Sequence, residues 1–162
     1  MAVVGCGIPG GSTGIASPTP TPGTSGLPSA ATPASTETTT DPWGPLAVVP
    51  PTGGVDLSRS EGTLRITDAC VLLESGAERT LLMWPADRTR WSADTRTIGY
   101  LNLDGGAIMI EDGEFTTVGG SGESLEESGL TAEAFVARTP WVKPPAMSCP
   151  YSSYWMVGAI EP

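Results

Sequence analysis

Three cysteines, two carboxylate clusters and a set of loop aromatics are the residues in this chain whose types suit chemistry or recognition. Histidine is absent. That removes the commonest general base and the commonest metal ligand, and with them the Ser-His-Asp and Cys-His mechanisms. Glu111, Asp112 and Glu114 bunch around Gly113, a grouping that suits a hard cation. The alternating Asp/Asn pattern of a calcium loop is missing, so the cluster reads as a solvated turn. Glu123, Glu126 and Glu127 are of the type that does general acid/base work, yet they read as an exposed helical face. Gly119-Gly120-Ser121-Gly122 has the glycines of a phosphate loop without its Lys-Ser/Thr, so it reads as a flexible turn. Two cysteines without paired spacing and without His cannot supply a structural zinc set. No catalytic residue, metal site or cofactor is therefore expected.

The aromatic residues carry more weight. Trp84 and Trp155 fall on strand-like runs and belong to a core. Trp91 and Trp141 fall in loops, as does Tyr151. Beside Arg88 and Arg90, these loop aromatics form a candidate surface for a sugar, a peptide or another protein. The competing reading is that they plug the ends of a barrel.

The N-terminus carries a short motif. Val3, Val4 and Gly5 precede Cys6, and the four residues resemble the lipobox of bacterial lipoproteins. The resemblance covers those four residues alone. It implies that Met1–Cys6 is the end of a signal peptide and that Cys6 carries diacylglycerol on its sulfur. The basic start and apolar run of such a peptide would then lie upstream of Met1. An acylated Cys6 leaves two cysteines, Cys70 and Cys149. An exported domain can join such a pair in a disulfide, and that bridge is expected here.

Residues 7–58 hold ten of the sixteen prolines, no Lys or Arg, and only Glu37, Asp41 and Asp56 as acids. Such a stretch has too little apolar surface to offset the entropy of ordering, and a disordered Pro/Thr/Ser/Gly-rich tether is expected. Fully extended it would reach about 160 Å, and as a flexible coil about 40 Å. Trp43 to Val49 interrupts it with apolar residues, which suits a short arm lying on the folded domain.

The folded domain is expected over residues 59–162. It carries 15 of the 18 acids and all 8 basic residues, for a net charge of −7. That balance excludes nucleic acid, which demands a basic stripe. Its apolar residues come in short runs between turn signals. Thr63 to Leu73 reads as one long strand with a bulge at Asp68-Ala69. Arg79 to Trp84 pairs with it across Ser75-Gly76-Ala77. Ala86 to Thr97 reads as a polar loop, and Ile98 to Leu103 as a short strand. Ala107 to Glu111 reads as a buried strand returning through a type I′ turn at Asp112-Gly113 to Glu114–Val118. Thr131 is a candidate helix N-cap, and Tyr154 to Ile160 reads as the closing strand. The expectation is a mainly β domain, a small antiparallel OB-like barrel or a sandwich, with one or two short helices.

Together these features point to an exported, lipid-anchored membrane protein facing outside the cytoplasm. Its partners would be the lipid bilayer, through the acyl anchor, and a protein, peptide or glycan ligand. The alternatives are a secreted or wall-associated carboxylate-dependent hydrolase and a structural domain of a surface assembly.

Overall fold

The computed structural model describes residues 41–53 and 58–161. The Cys6 motif, the tether through residue 40, residues 54–57 and Pro162 lie outside the described residues. Within them the order is β1 (Ala47–Val49), β2 (Ser58–Ile66), β3 (Val71–Ser75), β4 (Glu78–Pro85), β5 (Thr89–Ser92), β6 (Thr97–Leu101), β7 (Ala107–Ile110), β8 (Phe115–Ser124), α1 (Ala132–Arg138) and β9 (Ser153–Glu161).

Five strands close a barrel in the order β4-β3-β2-β8-β9 and back to β4. The chain is mainly β and the barrel OB-like, but it is mixed where an all-antiparallel one was expected. β9 meets β4 in parallel, Leu82 opposite Trp155 and Met83 opposite Met156. β1 also joins β4 in parallel. Met83 has Ala47 on one edge and Met156 on the other, so β1 takes over where β3 stops.

β3 and β4 are near-continuous apolar runs because both their faces are covered. Leu64, Leu73, Leu82, Trp84, Val118 and Val157 point into the barrel. Leu72, Leu81 and Met83 point the other way, into a second core under Phe135 of α1. β1 serves both cores by strict alternation: Leu46 and Val48 join the first, Ala47 and Val49 the second. The folded unit therefore includes Asp41–Gly53, which sequence composition assigned to the tether. Burial of Leu46 to Val49 and the hydrogen bonds of Val48 to Val142 and Lys143 outweigh the proline content around them.

Other local readings change too. Thr63 to Leu73 is two strands. The Thr67 hydroxyl oxygen accepts from the N–H groups of Ala69 and Cys70 at 3.2 and 3.0 Å and donates to Cys70 O at 2.8 Å. That side-chain turn reverses the chain, so Asp68-Ala69 is a hairpin tip and not a bulge. The stretch 86–97 contains β5, which pairs with β6. Asp112-Gly113 is not a hairpin. Gly113 has φ +85, but Asp112 lacks the positive φ of a type I′ turn. Asp112 Oδ1 instead accepts from Ile66 N at 2.7 Å. β7 thereby leaves for a separate sheet, β5-β6-β7, and is largely exposed.

Gly119 to Gly122 is strand, continuing β8 through a register shift between Gly119 and Gly120. Its glycines permit close approach to β9. A Cβ on Gly122 would lie 1.9 Å from Tyr154 O and 2.8 Å from Trp155 Cα. Backbone atoms cannot yield as a side-chain end can. Gly122→Ala is expected to cost about 3 kcal/mol, the upper range for overpacking, read as a lowered urea midpoint. Gly99→Ala, whose nearest neighbour would be Met109 Sδ at 3.4 Å, serves as the tolerated control. Equal midpoints for the two variants would refute the tight β8–β9 approach.

The helix begins as the sequence indicates. Thr131 caps it, its side chain accepting from Ala134 N at 3.2 Å.

Candidate functional site

OB-like barrels take ligands on the face of their second and third strands, between the first-to-second and fourth-to-fifth strand loops. Here those parts are β3, β4, the turn at 67–70 and the connection at 125–152. That face is filled by the chain itself. Leu72, Leu81 and Met83 lie beneath Leu125, Phe135 and Cys149, with Trp141, Tyr151 and Tyr154 packed alongside. Phe135 stacks on Tyr154 at 4.2 Å and meets Trp141 and Tyr151 edge-on. Cys70 and Cys149 form the disulfide, with Cα atoms 5.7 Å apart, and it joins the two loops that would border a cleft.

The five candidate binding residues thus fall into two groups. Trp141 and Tyr151 belong to the packing around α1, where Trp141 Nε1 donates to Val136 O. Trp91, Arg88 and Arg90 belong to the second sheet. Trp91 turns inward beside Ile98 and Tyr100, its indole lying where a Cβ on Gly44 would come. Arg88 and Arg90 border a groove on that sheet.

The groove follows from the alternation of three short strands. Ile98, Tyr100 and Ile110 face the barrel and join its core. Arg90, Gly99 and Met109 are consecutive partners in register across the outer face, and Leu101 pairs with Ala107 beside them. Gly99 has no side chain, so a trough of about 330 Å³ opens there, bordered also by Asp87, Arg88 and Ile108. Met109 is 62% exposed and Leu101 45%, an apolar surface open to solvent.

Arg88 is 7% exposed. Its Nη1 donates to Gly158 O at 3.0 Å, its guanidinium lies over the Tyr100 ring at 5.5 Å, and its Nε has no partner among the described residues. Arg90 Nη1 donates to Thr89 O at 2.7 Å. Neither has a carboxylate partner among the described residues, whereas Arg59, Arg65, Arg79, Arg96 and Lys143 all do.

The carboxylate clusters are dispersed in local bonds. Glu114 accepts from Glu111 N, Glu123 accepts from the Tyr154 hydroxyl at 2.6 Å, and Glu127 accepts from Ser124. No group of three His, Cys, Asp or Glu among the described residues could hold a metal ion. The grooves beside α1, over β8–β9 and on the second sheet each carry a single carboxylate: Glu133, Glu123 and Asp87.

All three tyrosines shift the same way. Burial pushes the Tyr100 hydroxyl up to about 12, against the pull of Arg88 and with help from Asp87. Burial, then the hydrogen bond and charge of Glu123, push Tyr154 up to about 12. Burial and Glu133 raise Tyr151. The folded state thus favours the neutral phenols. That contribution is full below the ordinary tyrosine value near 10 and is lost as pH rises from there to about 12. An ultraviolet titration should show phenolate lagging well behind that of free tyrosine and appearing together with unfolding. Three tyrosines titrating near 10 in the folded protein would contradict these environments.

A scan against protein-family models and searches of curated proteins and of solved structures returned no match. The groove was missed from sequence because Ala107 to Glu111 reads as a buried run. Its signal was the alternation of Ala107 and Met109 with Ile108 and Ile110.

Proposed function

We propose that this chain is an exported, lipid-anchored binding module that docks a partner protein on the outer face of its second sheet. The observation that carries this reading is the open apolar trough over Gly99, flanked by Arg90 and the buried Arg88, neither of which has a carboxylate partner among the described residues. Leu101 and Met109 put exposed apolar side chains, with Ala107, along one groove of a sheet face where polar residues are usual. Export is supported by the Cys70–Cys149 disulfide, a bond that persists in oxidising compartments. No helix among the described residues is long and apolar enough to cross a membrane, and anchoring rests on acylation of Cys6. A dual or triple acyl anchor holds stably, at ~0.8 kcal/mol per buried CH₂. Binding is favoured over a carboxylate-dependent hydrolase because the grooves each hold one carboxylate and acid/base hydrolysis of that kind requires a pair.

The test is a photo-cross-linking side chain placed at Met109 of the full chain, in the cell that encodes it. The same side chain at Arg138 is the control. A discrete membrane-fraction adduct from position 109, lost when Gly99→Val fills the trough, is expected. Equal labelling from both positions, or recovery of the protein from the cytosol with an unmodified Cys6, would overturn the reading.

A further inference from the structure

We infer that the partner enters the trough as an extended peptide segment in which one apolar side chain stands next to a single carboxylate. This rests on the reading of the trough as the docking site and specifies what it takes.

Gly99 leaves room for a side chain on the floor of the trough. A Cβ on Gly99 would stand 3.4 Å from Met109 Sδ and 3.7 Å from Arg90 Cβ. Gly99 is absent from the positive-φ glycines, so no backbone requirement calls for glycine there. What its hydrogen side chain provides is space between two flexible walls. Methionine repacks readily around an incoming apolar group, and the aliphatic stem of Arg90 can cover its other side.

The charge identifies the second element. The domain is strongly acidic, and five of its eight basic residues are already paired. Two of the remaining three border this trough, against the one acid Asp87. The local sign is therefore the reverse of the whole. Arg88 sharpens the point. Its guanidinium is nine-tenths buried against the inward-facing Tyr100 and meets no carboxylate among the described residues, so it adds positive charge beneath the sheet. It has one carbonyl, one 3.4 Å contact to Thr52 Oγ1 and an aromatic face, and an Nε unpartnered among the described residues. The exposed Arg90 is the guanidinium a ligand meets, and a carboxylate is the planar acceptor it fits best. One carboxylate suffices. A run of acids would meet the repulsion of the acidic domain, whereas a lone charge feels mainly groups within the ~8 Å screening length of physiological salt. The lining offers no array of donors for sugar hydroxyls, and its open, shallow form suits side chains better than an acyl chain.

The test uses a random decapeptide display library selected against the full chain, followed by calorimetry with a synthetic consensus peptide. Enrichment of an apolar residue adjacent to one Asp or Glu is expected. Binding should fall at least tenfold in Arg90→Gln and Gly99→Val, and tenfold when the peptide's Asp becomes Asn. Met109→Lys, at an exposed position that cannot disturb the core, should reproduce the loss. A basic or uncharged consensus that is still lost in Gly99→Val and Met109→Lys would overturn the ligand class and leave the trough as a docking site. No enrichment, or binding indifferent to both variants, would overturn the docking site as well.

Discussion

A chain beginning at Arg59 should fail to fold. Composition alone places the domain boundary there, after the last of ten prolines. The structure places Leu46, Val48 and Val49 in its two cores at 0–2% exposure. Burying such side chains contributes about 1.5–3 kcal/mol each, so their removal costs about 5–9 kcal/mol. That approaches the whole stability of a typical domain. Two further losses add to it. β4 loses its parallel neighbour at Met83 to Pro85, and the 142–143 segment loses Val48, to which it bonds at 2.8–3.0 Å. The Asp41–Lys143 ion pair goes too. The expected result is a collapsed near-ultraviolet circular dichroism signal and poor amide dispersion by NMR. A chain beginning at Asp41 should give a cooperative urea transition. If both chains unfold at the same midpoint, β1 is not part of the core.

The second large effect is expected from the disulfide. Cys70 and Cys149 are 79 residues apart in sequence, and in the chain-entropy model a loop of that size is worth about 4 kcal/mol. The Cys70→Ser/Cys149→Ser double variant should lose about that much, seen as a fall in urea midpoint with a steeper slope, because the unlinked denatured chain is less compact. The loss should be uneven. The connection at 125–152 is held over β3 and β4 by this bond, by Phe135 and by its aromatic neighbours. Limited proteolysis of the variant should therefore cut within 125–152 before it cuts the barrel strands. In the wild-type chain unfolded in denaturant neither cysteine should alkylate without reductant, since both sulfurs are held in the bridge. Ready alkylation of both would contradict the bridge.

Much of the barrel could be read from the residues because its signals are local. Ser75-Gly76-Ala77 sits between apolar runs and is the β3–β4 turn. Thr131 caps the helix. Tyr154 to Ile160 is the closing strand. Setting Cys6 aside left Cys70 and Cys149 as a pair, and they are bridged. What could not be read depended on partners distant in sequence. Asp112-Gly113 has the composition of a tight hairpin, but Asp112 is drawn instead to Ile66 N, 46 residues away. Trp43 to Val49 was legible as an arm lying on the domain, but not the edge of β4 that it pairs with. The parallel pairings were invisible for the same reason. Of the candidate site, Arg88 and Arg90 were named from sequence for their neighbourhood with Trp91. The indole in fact packs inward, Arg88 is buried against Tyr100, and Arg90 faces a groove whose other wall, Met109, comes from a strand taken to be buried. Gly99 carried no sequence signal, because a glycine that makes room looks like a glycine that makes a turn.

The closing strand also governs when the molecule can form. β9 bonds to β4 on one side and β8 on the other, and it supplies Val157 and Ile160 to the interior. β4 and β9 are separated by more than seventy residues, so the barrel is a structure of distant contacts, of the kind that folds in milliseconds to seconds. Until residues 153–161 have been synthesised, β4 and β8 lack the strand that lies between them and the barrel stays open. The nascent chain is thereby kept from setting into its final form early. For a protein exported as proposed, that delay is useful: a domain that cannot close during synthesis remains an extended chain able to pass a narrow translocation channel. It would close, and seal Cys70 to Cys149, on the far side.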